Sequence, residues 1–131
     1  MPERQNISSG TPWETLAGYS RAVRVGQHVF VAGTTASDSS GAVQHLGDAG
    51  AQATYILRKI ERALAEAGAT LEHVVRTRIF VQQVDDWEAV AKAHGAIFAH
   101  IRPANTLVRA EMINPAMLVE IEADAIVPEE R

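Results

Sequence analysis

Two carboxylates stand two positions apart in an apolar run, Val119-Glu120-Ile121-Glu122-Ala123. In an extended strand successive side chains alternate faces, so Glu120 and Glu122 share one face while Val119, Ile121 and Ala123 share the other. A strand carboxylate is a residue type that can move protons. Read from the residues alone, both glutamates are solvated strand positions. Arg76 and Arg78 repeat this spacing in the run 74–81, where they suit either an anionic ligand or interface ion pairs. The five histidines, His28, His45, His73, His94 and His100, show neither HxH nor HExxH spacing, so no metal site is expected. His94 falls on or beside the apolar stripe of its segment and reads as structural, with ligand contact as the alternative. The chain has no cysteine, which excludes thiolate nucleophiles, disulfides and zinc–thiolate sites. Glycine-rich phosphate loops and Ser-His-Asp orders are absent as well.

The elements that would position these residues must come from a short chain. Its 131 residues fit one domain, 1–131, with residues 1–11 read as loop or flexible. A domain of this size buries roughly two-thirds of its unfolded surface. An apolar fraction of 47% and a charged fraction of 21% are those of an ordinary globular protein. The net charge of −4 argues against nucleic acid as a partner, because phosphate binding needs a basic surface. Residues 1–6 have no apolar run behind a basic start, so no signal peptide is read there. No stretch approaches the ~20 apolar residues of a membrane helix, and cytoplasm is the expected location.

Residues 1 to about 18 are turn-rich and read as loop, with room for a short leading strand. Ser20 to Val25 and His28 to Thr34 read as a hairpin about Gly26-Gln27. A loop at 37–41 precedes a short strand over Val43 to Leu46. Asp48 caps a helix whose apolar stripe is Ala53, Ile56, Leu57, Ile60, Ala63, Leu64 and Ala67, closed by Gly68. Val74 to Val81 is a strand, and Asp85 or Asp86 caps a second helix from Trp87 to about His100. Asn105 to Met112 and Leu118 to Val127 are strands joined through Asn114-Pro115. The fold class is therefore α+β, a mixed sheet with two helices on one face. The other face would be left bare, with Val29, Val31, Val75, Ile79 and Val81 as candidate apolar residues on one parity or the other. An uncovered apolar sheet face predicts assembly into a closed ring.

The segment Arg102-Pro103-Ala104-Asn105-Thr106-Leu107-Val108, followed by Met117 to Ala123, resembles the C-terminal signature of the Rid/YjgF family. So do Gly18-Tyr19-Ser20, the run Val29 to Thr34, the strand at Val74 to Thr77 and the helix start at Asp86-Trp87. The likeness extends from about residue 12 to 127. It implies a chorismate-mutase-like fold, a homotrimer with the sheets as an inner barrel, and a small-metabolite cleft at each subunit junction. It implies no metal and no organic cofactor. The activity implied is hydrolysis of enamines or imines to a ketoacid and ammonia. An arginine clamps the substrate carboxylate there.

Carried over position by position, the resemblance makes Glu120 the water-handling catalytic residue, with Tyr19 and Gly33 lining the cleft. Asn105 stands where the family has its arginine, and Ala91 where many deaminating members have asparagine. A neutral amide cannot neutralise a carboxylate, which argues against standard 2-imino-acid deamination. Asn105, Leu107 and Arg109 share one strand face, with Arg109 about 13 Å beyond Asn105 at ~3.3 Å per residue. Arg109 or Arg78 is the expected substitute anion contact, with Arg102 a further candidate. A trimer that binds or senses a metabolite without chemistry is the alternative. Family members have also been called endoribonucleases, a reading that the acidic charge and unpaired histidines support little.

Overall fold

The structure, a computed structural model, describes residues 3–129. Glu130 and Arg131, read from the sequence as part of the domain's end, lie outside the described residues. The strands are β1 (Arg4–Ile7), β2 (Ala22–Val25), β3 (His28–Thr35), β4 (Val74–Val81), β5 (Ala104–Arg109) and β6 (Val119–Ile126). They form one sheet in the order β1-β2-β3-β6-β4-β5, antiparallel throughout except for the parallel pair β4–β5. That pair needs a crossover, and α3 (Trp87–Phe98) provides it. The β2–β3 turn places Gly26 at φ 59°, a left-handed value that glycine adopts without a Cβ clash.

The longest helix, α2 (Ala49–Glu66), packs on β3 and β6 and against α3. Its Asp48 cap accepts from the Ala51 N–H at 3.0 Å. The buried stripe Ala53, Ile56, Leu57, Ile60 and Leu64 meets Val29, Val31, Ile79, Val81, Val119, Ile121 and Ala123 in one core. Truncating Ile121, which has no solvent exposure, would cost ~2–5 kcal/mol by the usual cavity argument. Two buried glutamines fix the loop that leads into β6. Gln52 accepts from the Leu118 N–H at 2.9 Å and donates to Ala116 O at 3.0 Å. Gln82 accepts from the Met112 N–H at 2.9 Å and donates to Met117 O at 3.0 Å. The backbone that enters Glu120's strand is thereby anchored at both layers.

Several sequence expectations are corrected. The turn-rich start has the short leading strand allowed for it, β1, but also an unexpected short helix, α1 (Pro12–Ala17), so the helices number three among the described residues. Residues 43–46 form no strand; Val43 makes only an isolated bridge to Ser37. β5 ends at Arg109 rather than Met112, because the Met112 N–H is taken by Gln82. Asp86 makes no side-chain cap; a 3₁₀ turn at Val84–Asp86 leads into α3 instead. Finally, Val29, Val31, Ile79 and Val81 all turn toward the helices, so they do not furnish a bare apolar surface. By register the open face carries Phe30, Phe80 and Val108 around a charged centre of Arg78, Glu122 and Asp124. Arg78 Nη1 lies 3.1 Å from Glu122 and 3.2 Å from Asp124.

Candidate functional site

Between β3 and β6 the register slips: Val31 pairs with Ala123, yet Thr34 pairs with Ile121. Ala32 and Gly33 together oppose the single residue Glu122, which is a β-bulge. Glu120, opposite Thr35 and Phe80, lays its carboxylate against Gly33 so closely that a Cβ there would collide with Oε2. The glycine is needed for this close approach rather than for an unusual φ. Burial pushes the Glu120 carboxyl up, the Arg21 charge draws it back, and Glu122 adds to the rise.

Arg21 is 5% exposed and has no carboxylate partner among the described residues. Its Nη2 donates to Gly33 O at 2.5 Å, and its guanidinium carbon lies 5.6 Å from the centre of the Tyr19 ring. Tyr19, Arg21, Gly33 and Glu120 are thus linked in one patch. Such a patch offers a carboxylate with raised proton affinity, a cation beside it, and an aromatic wall.

Asn105, Leu107 and Arg109 lie elsewhere in the same chain. β5 pairs them with Thr77, Ile79 and Val81, so they share the helix-covered face, opposite the one that carries Glu120. Asn105 Nδ2 donates to Thr77 Oγ1 at 2.9 Å, and Thr77 Oγ1 meets His94 Nε2 at 2.9 Å. The His94 ring sits 4.6 Å from that of Phe98, and burial pushes its pKa below the ordinary histidine value. Leu107 packs beside the core, and Arg109 Nε donates to Gln82 O at 3.1 Å. Within one chain Arg109 lies on the face opposite Glu120, and Arg78 is held between two carboxylates. The cation beside Glu120 is Arg21, which sequence reading missed. Its spacing of two from Tyr19 was the available signal.

Residues 10–127 match the family model described as Endoribonuclease L-PSP. The chain belongs to the Rid/YjgF family. Among its Rid/YjgF relatives is the 3-aminoacrylate deaminase RutC of Acinetobacter baylyi, 33% identical, with 95% of this chain and 98% of that protein covered. The crystal structure of Rv2704 from Mycobacterium tuberculosis, a YjgF/YER057c/UK114 member, superposes with a TM-score of 0.86 at 48% identity, covering 95% of this chain and 100% of that one. A Thermotoga maritima structure titled a putative endoribonuclease gives a TM-score of 0.85 at 26% identity, covering 97% and 99%. The mixed sheet with helices on one side is thus the Rid/YjgF fold. No helix among the described residues is long and apolar enough to cross a membrane.

Proposed function

We propose that this Rid/YjgF chain hydrolyses a small enamine or imine in a cleft completed by a second copy of itself, with Glu120 as the water-handling group. The observation that carries the reading is the Glu120 carboxylate, half-buried over Gly33 beside Arg21 and Tyr19. A carboxylate with raised proton affinity suits proton transfer near neutral pH. An enamine first takes a proton at its β-carbon and becomes the iminium. Water adds to the iminium carbon while Glu120 accepts one of its protons, giving a neutral carbinolamine. Glu120 returns that proton to nitrogen, the C–N bond breaks as the hydroxyl oxygen forms the C=O bond, and the hydroxyl proton passes through Glu120 to the departing ammonia, leaving a carbonyl compound and ammonium. The RutC likeness supports a small aminoacrylate- or imine-type substrate.

The need for a second copy follows from the two faces. Tyr19, Gly33 and Glu120 belong to one half of the cleft. Asn105, Leu107 and Arg109, on the edge strand β5, belong to the other half and come from the neighbour, in a homotrimer. Asn105 brings no charge, and its amide is engaged by Thr77, so substrates that depend on a two-point carboxylate clamp at that position are turned over slowly. The same engagement favours a second reading, a trimer that binds a metabolite without converting it.

Ammonia release from 3-aminoacrylate and from 2-iminopropanoate, each generated in situ, distinguishes the two. Acceleration by the wild type and none by Glu120→Ala supports the hydrolase. Wild type and variant alike leaving the spontaneous rate unchanged supports the binding-only reading.

A further inference from the structure

The two ends of the Asn105 amide are in different states. Nδ2 donates to Thr77 Oγ1 at 2.9 Å and reaches Thr77 O at 3.4 Å. A main-chain carbonyl only accepts, so the amide end turned toward it is the nitrogen. His94 Nε2 meets the same Thr77 hydroxyl at 2.9 Å, and Thr77 has no solvent exposure. The hydroxyl that receives Asn105 is therefore held from two sides. His94 is held in turn by its ring contact with Phe98.

The other end is unspent. Asn105 Oδ1 accepts no hydrogen bond among the described residues, and Asn105 is exposed on β5, at the edge of the sheet. An arginine at this position would offer N–H donors only; this chain offers a fixed carbonyl oxygen. A carboxylate brings acceptors alone, so it would meet Oδ1 with no proton between them. A carboxamide has the same shape and brings an N–H. A neutral tail is favoured over an ammonium, because the charged residues of β5 and its approach, Arg102 and Arg109, are both cations. Arg109 lies about 13 Å further along at ~3.3 Å per residue, and its Nε is tied to Gln82 O at 3.1 Å.

We propose that Asn105, aimed by Thr77 and His94, selects enamine or imine substrates that carry a carboxamide where a carboxylate would otherwise sit. The proposal rests on the hydrolase reading above, in which β5 of a neighbouring copy completes the cleft. Asn105 Oδ1 receives the substrate's amide N–H. Thr77 and His94 are positioning residues, acting on the substrate only through Asn105.

The test is an NMR titration of the full chain near neutral pH with two stable carbonyl compounds, 2-oxopropanamide and 2-oxopropanoate, which differ only in the carboxamide or carboxylate. The wild type should bind the amide at least about tenfold more tightly, the scale of one hydrogen bond made or forfeited. Asn105→Leu should erase that ratio. Thr77→Val, which frees the Asn105 amide to turn, should narrow it, and Thr77→Ser should keep it. Glu120→Gln should keep it too, because the choice is made on the other half of the cleft; a ratio lost there would assign it to repulsion by Glu120 and overturn the proposal. A full ratio in Thr77→Val would overturn the positioning role, and a full ratio in Asn105→Leu the whole assignment. If Thr77→Val fails to fold, the wild type and Asn105→Leu decide the question. Equal binding of the two probes, or tighter binding of the oxoacid, would overturn the substrate class and leave a Glu120 hydrolase standing. Binding of neither probe would overturn the class and the cleft together.

Discussion

The Glu120 carboxylate occupies the volume that a side chain at residue 33 would need. The backbone of Gly33 lies outside the left-handed region, so alanine is tolerated there by the main chain. What yields in Gly33→Ala is the end of Glu120. Displacing a reacting group by about 1 Å costs on the order of 10²-fold in rate. Gly33→Ala should therefore lose about that much turnover while its melting temperature stays close to wild type. Equal loss of both would make Gly33 a folding residue only.

Glu120→Gln should abolish turnover and stabilise the fold at neutral pH. The folded-state pKa of Glu120 is raised above its ordinary value of 4.5, chiefly by burial. The folded chain then holds its proton more tightly than the unfolded chain does. Ionisation costs stability as pH climbs past 4.5, and the full cost is present above the raised value. Glutamine removes that cost. Urea midpoints at neutral pH check this, and a variant less stable than wild type contradicts it.

Much of this arrangement is written in local pattern. The alternation of Val119 to Ala123 put Glu120 and Glu122 on one face, as the structure has them, and the α2 stripe buried as its period requires. Other features depend on partners distant in sequence. β1 is a four-residue edge strand, too short for alternation to stand out from a turn-rich start. Whether Val29 and Ile79 face helices or the open side depends on sheet register, which one strand's sequence does not fix. Parity within β5 correctly grouped Asn105, Leu107 and Arg109. Only the pairing of Asn105 with Thr77 showed that this group faces away from Glu120. Arg21 looked like any strand arginine because its contact with Gly33 O joins residues twelve apart in sequence.

His94 gives the fold a second pH dependence. Burial lowers its folded-state pKa below 6.5, so the unfolded chain takes up the proton first as pH falls. Stability should decline as pH drops from 6.5 toward that lower value. His94→Gln keeps an amide within reach of Thr77 and cannot titrate. The difference in unfolding free energy between about pH 7.5 and about pH 5.5 should shrink in this variant. An unchanged difference would place the dependence elsewhere.

Asn105→Arg should restore a charged fork on β5. The neutral amide gives up its bond to Thr77, which keeps His94 as a partner. Turnover of 2-iminopropanoate should rise at least about tenfold, the scale of a charge-assisted over a neutral contact. A flat response means that the pocket differs from a clamping site by more than this residue.

The division of the cleft between two copies is tested most directly by complementation. Glu120→Gln disables one half, and Leu107→Trp, at a partly buried position on β5, blocks the other. Each variant alone should be inactive. When the two are unfolded together and refolded at equal ratio, random assembly gives about one cleft in four with both halves intact, and about that share of wild-type activity should return. A mixture as inactive as its components would contradict the account.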